Sequence, residues 1–253
     1  MITLKSEKEI EILREGGKIL HTILDELETL AIPGNTTLDI DDRAMELIEK
    51  YKVEPMTLGY HPQFAHRPYP AASCVSINDV IVHGIPNEEP IEFFDGDVVS
   101  IDVVIGHKGM VVDSARTVGV GNVSKEVKQL IHVTKVALEA GIKAAQPGRH
   151  INDIGAAIEK SVPKEFGIIE VFCGHGVGYD LHEDPIVPNF VMKGSSEKLV
   201  PGMVIAIEPM ITLGGVEVEM LEDGYSAITA DGSLAAHVEH TVVITKHGPE
   251  ILT

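Results

Sequence analysis

The stretch from Gly96 to Asp113 constrains the rest of the chain more than any other. It runs Gly96-Asp97-Val98-Val99-Ser100-Ile101-Asp102-Val103-Val104-Ile105, then Gly106-His107-Lys108-Gly109, then Met110-Val111-Val112-Asp113. β-Branched residues on either side of a short, glycine-bracketed polar tip specify a β-hairpin. Pairing outward from a His107/Lys108 centre sets Asp102 opposite Asp113. Like charges facing each other on antiparallel strands are destabilising, and an apolar hairpin offers them little water. They can share a proton as a carboxylate dyad does, or a divalent cation can neutralise them. Two solvated aspartates on an exposed strand face would need neither.

At 253 residues the chain is long enough for one large domain or two small ones. No run spans a membrane, and Met1-Ile2-Thr3-Leu4-Lys5 turns polar too soon for a secretory leader, so a cytoplasmic protein is expected. Two cysteines, Cys74 and Cys173, make neither a disulfide framework nor a cysteine-based zinc module. The 39 acidic residues against 20 basic ones give a net charge of −19, with no basic run; direct nucleic-acid binding is not expected from such a field.

Along the chain, Ser6-Glu7-Lys8-Glu9 reads as a capping box opening a helix that Pro33-Gly34 stops. A second helix is predicted from about Leu38 to Tyr51, and a third from Ser124 to about Ala145, stopped by Pro147-Gly148. Tyr60 to Pro70 reads as a loop, Ala72 to His83 as a strand pair turning at residues 76–80, and Met203 to Met210 and His237 to Ile244 as strands. The two Pro-Gly stops expose a repeat. Pro, Gly, Asp and Ile recur at a constant offset in residues 33–40 and 147–154, and Ile-Glu-Lys recurs at Ile48-Glu49-Lys50 and Ile158-Glu159-Lys160. Gly96-Asp97-Val98-Val99-Ser100-Ile101-Asp102 likewise matches Gly202-Met203-Val204-Ile205-Ala206-Ile207-Glu208. Two copies of a helix-helix-strand unit, roughly 1–120 and 121–253, would bring Asp102 and Glu208 together near a pseudo-twofold axis. A single domain over 1–253 is expected, with no separate N-terminal domain.

Gly174-His175-Gly176-Val177-Gly178 has alternate glycines but no following helix, so phosphate cradling is not expected. Glycines there let the backbone approach a ligand cluster while an imidazole points into it. Glu208 ends an apolar strand at Pro209, and Glu239 lies in another beside two histidines; each is costly there unless paired or bound to metal. Asp102, Asp113, His175, Glu208 and Glu239 thus form a carboxylate-rich set with one imidazole, which suits two divalent cations better than a lone zinc. His21, His61, His107, His132, His150, His237, His240 and His247 read as structural or surface residues, with His107 exposed at its turn tip and His240 pointing away from Glu239.

Through these segments the chain resembles the type I methionine aminopeptidases of the pita-bread metallopeptidase family. The resemblance covers nearly the whole length, through His83-Gly84-Ile85-Pro86, Ile101-Asp102-Val103, Asp113-Ser114-Ala115-Arg116-Thr117, His182-Glu183-Asp184-Pro185, Ile207-Glu208-Pro209-Met210 and Glu239-His240-Thr241. It implies an α+β pita-bread fold, with two pseudo-twofold-related halves and a curved antiparallel sheet covered by helices. It also implies hydrolysis of the first peptide bond, with Asp102 on one metal, His175 and Glu208 on the other, and Asp113 and Glu239 bridging. Mn, Fe, Co and Zn all suit such a shell. Glu208 would move the proton, His182 would stabilise the oxyanion, and His83 would position the scissile amide.

By the same resemblance Cys74, Tyr69 and Met210 line the methionine pocket. Leu181, Tyr225 and His66 depart from the family's commoner Phe, Trp and aromatic residues at those positions. Nascent or peptide N-termini would be the substrates, with a transient ribosome contact and a monomeric state. The alternatives are an X-Pro aminopeptidase or dipeptidase, which usually carries an extra preceding domain, and a non-catalytic peptide-binding relative, which would have lost ligands. Type II methionine aminopeptidases carry an insertion in the C-terminal half, for which the 30 residues between Glu208 and Glu239 leave little room.

Overall fold

The computed structural model describes residues 2–63, 65–194 and 196–253. Helices α1 (Glu7–Glu28) and α2 (Thr37–Tyr51) lead into β1 (Glu54–Pro55), β2 (Ser73–Ile77), β3 (Val80–Val82) and the long hairpin β4 (Val98–His107) and β5 (Met110–Gly119). Helices α3 (Lys125–Ala144) and α4 (Ile151–Ser161) precede β6 (Gly167–Ile168), β7 (Gly174–Gly176), β8 (Glu183–Val187), β9 (Val204–Ile207) and β10 (Met210–Thr212). The chain ends through β11 (Val218–Met220), β12 (Ala227–Thr229), β13 (Ala235–His237), β14 (His240–Thr245) and β15 (Gly248–Ile251). This is the α+β class expected. No helix among the described residues is long and apolar enough to cross a membrane.

Local chemistry accounts for the helices. Ser6 N–H donates to the Glu9 carboxylate at 2.7 Å while Glu9 N–H returns to Ser6 Oγ, and Thr36 with Asp39 repeats the reciprocal cap on α2. From α1, Ile10, Leu13, Leu20, Ile23, Leu24 and Leu27 turn one buried stripe onto β4 and β5, joining α2 and β2 in the largest core. In a second core Ala137, Leu138 and Ile142 of α3 and Ile151, Ile154 and Ile158 of α4 pack on Ile205, Ile207, Val242 and Ile244. Each helix pair thus covers antiparallel strands on one face.

The hairpin register differs from the one expected. Asp102 pairs with Ala115 and Asp113 with Val104, and the ladder closes at His107–Met110 around Lys108 and Gly109. Those two residues carry φ of +50° and +78°, as a type I′ turn requires. Gly106 remains in the strand, where a Cβ would meet the Met56 sulfur at 2.9 Å. A displacement of two residues preserves facing, so Asp102 and Asp113 share a face as diagonal neighbours rather than a direct pair. His107 accordingly ends the ladder instead of tipping the turn. Its side chain is 14% exposed, packs over Gly16, and lies 3.1 Å from Glu15 Oε2.

The sheets are antiparallel throughout. β4 lies between β5 on one side and β1 and β2 on the other; β15-β14-β9-β7-β8, β13-β10-β6 and β11-β12-β3 form the rest. The predicted pair at residues 72–83 consists of two strands that part company, β2 pairing with β4 and β3 with β12, about a turn where Asn78 takes φ +57°. Two strands expected to be continuous are cut at their acids. The β9/β14 ladder gives way to β10/β13 at Glu208-Pro209 and at Val238-Glu239, where Pro209 has no N–H and Glu239 N–H turns to Ala115 O at 2.9 Å. Hydroxyls sew the hairpin to this second half. Thr241 Oγ1 accepts from Asp113 N–H at 2.9 Å and donates to Asp113 O at 2.8 Å, and Ser114 Oγ donates to Glu239 O at 2.8 Å.

Candidate metal centre and active site

Five separate pieces of chain deliver the predicted acids and imidazole to one cavity of about 290 Å³. Asp102 comes from β4, Asp113 from β5, His175 from β7, and Glu208 and Glu239 from the two strand breaks; His83, His182 and His237 line the same space. The glycines flanking His175 serve the neighbouring strands rather than a ligand cluster. A Cβ on Gly174 would stand 2.3 Å from Ala206 O, and one on Gly176 would stand 2.2 Å from Asp184 O. His175 Nδ1 lies 3.0 Å from Gly176 O, and with the proton assigned there its Nε2 lone pair faces the acids.

The acids lack internal neutralisation. Asp113 and Glu239 are 4% and 2% exposed, and Asp102 Oδ1, Asp113 Oδ1, Glu239 Oε1 and His237 Nε2 are buried without a hydrogen-bond partner among the described residues. Burial pushes the Asp113 carboxyl well above the usual range, and Asp102 and Glu208 push it further; Glu239 is raised by burial and then by Asp113 and Glu208. Asp102 is lifted to about 6, chiefly by burial. Burial also raises Glu208, but His237, His175 and His182 outweigh it and leave that carboxyl below its ordinary value. His175 Nε2 stands 3.4 Å from Glu208 Oε1 and 3.8 Å from Asp113 Oδ2. One ligand atom each from Asp113, His175 and Glu239 lies within 4.8 Å of the other two, and the same holds for Glu208, His237 and Glu239. Orphaned oxygens, like charges held together and two imidazoles fit divalent cations, which replace the missing partners with the charge the site lacks.

Two further histidines frame the cavity. His182 Nδ1 lies 2.7 Å from Tyr60 Oη, and burial lowers the imidazole to about 4. His83 is lowered to about 4 by burial too, sits at φ +61°, and meets the edge of Phe172 at 5.5 Å between centroids. Both are therefore neutral at pH 7.

On the apolar side, Tyr69, Cys74, Leu181 and Tyr225 line the cavity as expected, Tyr69 and Tyr225 meeting edge to face at 5.0 Å. Met210 and His66 are placed elsewhere. Met210 packs with Ile81, Val82 and Ile169, because the strand break at Pro209 turns it into that cluster, and His66 is exposed on its loop. Tyr60 and Pro62, from the loop predicted at Tyr60 to Pro70, line the wall, as do Thr57 and Phe172, which no sequence signal marked. His237, read from the sequence as structural or surface, instead lines the cavity at the end of β13, just before the strand break.

Comparison with known proteins places this geometry. Residues 11–246 match the model of metallopeptidase family M24. The methionine aminopeptidase of Clostridium perfringens is 43% identical over all of this chain and 99% of its own length. The crystal structure of the Thermotoga maritima methionine aminopeptidase superposes with a TM-score of 0.94 at 40% identity, covering 100% of this chain and 99% of the other. The prolidase of Pyrococcus furiosus, 21% identical with a TM-score of 0.72, covers 99% of this chain and 65% of its own and shares the fold.

Proposed function

The chain belongs to metallopeptidase family M24, and from that membership and its site we propose that it is a metal-dependent methionine aminopeptidase, removing the N-terminal methionine of nascent proteins and peptides. The observation carrying this reading is the convergence of Asp102, Asp113, His175, Glu208 and Glu239 on one cavity whose other wall is apolar. Asp102 would hold one ion, His175 and Glu208 a second, with Asp113 and Glu239 shared between them; Mn, Fe, Co or Zn suits the donors. Bound there, such cations would supply Lewis acidity toward the scissile carbonyl and lower the pKa of water.

The chain's own groups do the rest. Glu208 accepts a proton at a carboxylate oxygen and returns it to the leaving nitrogen. Neutral His182 takes the Tyr60 O–H at Nδ1, which leaves Nε2–H to donate to the oxyanion. His83 faces the leaving amide across the cavity. The carboxylate end favours the substrate's free amine, which an internal peptide bond lacks. Tyr69, Cys74, Leu181 and Tyr225 supply an apolar slot for the thioether. We place the reaction in the cytoplasm, in a monomer whose two halves, roughly 1–120 and 121–253, form one catalytic domain that meets the ribosome transiently.

Metal-supplemented assays on peptides beginning Met-Ala, Met-Lys, Ala-Pro and Leu-Ala test the reading by the amino acid released. Methionine freed from the first two alone is expected. Preferential release of alanine from Ala-Pro would overturn it in favour of X-Pro cleavage.

A further inference from the structure

We infer that His237 is a ligand of the metal centre, binding through Nε2 the ion held by Glu208 and Glu239, so that the centre carries two imidazoles rather than one. The inference rests on the two-metal reading above and adds a donor to it.

His237 ends β13, two residues before Glu239, and its main chain is fixed from both sides. Its N–H donates to Thr117 Oγ1 at 3.1 Å and to Ser100 Oγ at 3.3 Å, and its carbonyl accepts from Thr117 Oγ1 at 2.5 Å. With the backbone pinned to β4 and β5, the ring has only its side-chain torsions with which to turn, and it turns into the cavity. The residue is 2% exposed, yet among the described residues Nε2 finds no hydrogen-bond partner. A buried ring nitrogen is ordinarily paired, so an orphan aimed at carboxylates needs an occupant between them.

The distances identify that occupant. His237 Nε2 lies 3.4 Å from Glu208 Oε2, in contact but without hydrogen-bond geometry, and 4.0 Å from Glu239 Oε2. His175 Nε2 lies the same 3.4 Å from the other oxygen of the same carboxylate, Glu208 Oε1. Two donors each about 2.0–2.2 Å from one ion, at the angles of four- or six-coordinate sites, stand roughly 2.9–3.5 Å apart. Glu208 is thus flanked by one imidazole per oxygen, each at a separation suited to sharing a cation. At 3.4 Å and out of line, the contact is too weak a hydrogen bond for the orienting of Glu208 alone to account for where the ring sits.

A second imidazole moves the donor set toward nitrogen. It favours Co, Zn and Fe over Mn more than a single-imidazole shell would.

The test uses the metal-free full-length protein and its His237→Gln variant, whose amide can still hydrogen-bond Glu208. Calorimetric titration with Co(II) and with Mn(II) gives stoichiometry and affinity, and proton NMR of the Co(II)-loaded protein counts hyperfine-shifted imidazole N–H signals, one per bound histidine. We expect two ions and two such signals in the parent protein. In His237→Gln we expect one signal and a Co(II) affinity at one site at least 10-fold weaker, with a smaller loss for Mn(II). One signal in the parent, or unchanged Co(II) affinity in the variant, overturns His237 as a ligand while leaving the two-metal reading standing. A parent protein that binds no Co(II) overturns both. The parent's signal count decides the matter even if the variant does not fold.

Discussion

On the proposed mechanism the chemistry turns on Glu208, a carboxylate flanked by the His175 and His237 rings at 3.4 Å each. Glu208→Gln preserves shape but cannot accept a proton. Its kcat should fall by roughly 10²–10⁴-fold, the usual worth of a positioned acid–base group, with the far-UV spectrum unchanged; turnover within a few-fold of the parent would remove Glu208 from proton transfer. His240 illustrates a different use of burial. It follows Glu239 but points the other way, its Nδ1 3.1 Å from Thr253 Oγ1, and burial lowers it to about 4. Unfolded, that imidazole protonates near 6.5, so between pH 6.5 and 4 the unfolded chain binds more protons and stability must rise with pH. The contribution is complete above 6.5, absent below 4, and worth at most about 3 kcal/mol. In His240→Gln, urea unfolding from pH 4 to 7 with chelator present should show a shallower acid slope, though not a flat one, because His83 and His182 are depressed in the same direction.

At the scale of elements, the helices were legible because their signals are local: Ser6 with Glu9, the apolar stripe of α1, and the Pro-Gly stops. The acids were legible for a related reason, an ionisable group in an apolar β run being anomalous wherever the run pairs. What stayed hidden depends on partners far along the chain. No pattern in residues 237–244 says that the strand changes sheets at Glu239, since that follows from Ala115 taking its N–H. Nor does His237, one of 12 histidines, declare itself until β4 and β5 fix its backbone. Gly17 is the sharpest case. By propensity, alanine in mid-helix should stabilise α1 by about 1 kcal/mol. Yet a Cβ there would stand 1.9 Å from Leu252 O, because α1 packs directly on the chain's C-terminal backbone. Gly17→Ala is therefore expected to destabilise the protein by about 1–3 kcal/mol, as overpacking does, and a urea midpoint at or above the parent's would show that the C-terminal segment yields.

For the molecule as a whole, the centre lies where the first half meets the second. Asp102 and Asp113 arrive from the β4–β5 hairpin; His175, Glu208 and Glu239 arrive from strands after α4. Divalent ions there bind the folded arrangement and have no equivalent in the unfolded chain, so they stabilise by mass action, about 2.7 kcal/mol per ion at a hundred times its Kd. For a chain of this length that corresponds to a Tm gain of about 5–10 °C, and calorimetry with chelator against saturating Mn or Co measures it. One substitution then separates a metal centre from an ordinary cluster of acids. Without metal, Asp113 suffers burial and the neighbouring Asp102 and Glu208 charges, so Asp113→Asn relieves repulsion and should raise the Tm of the chelated protein. With metal, the same change removes a charged donor and should lower it. The opposite signs require the carboxylate to be a liability in one state and a ligand in the other. A substitution that shifts both states in the same direction would mean that Asp113 acts on folding through the fit of its side chain in the cavity and not through a shared cation.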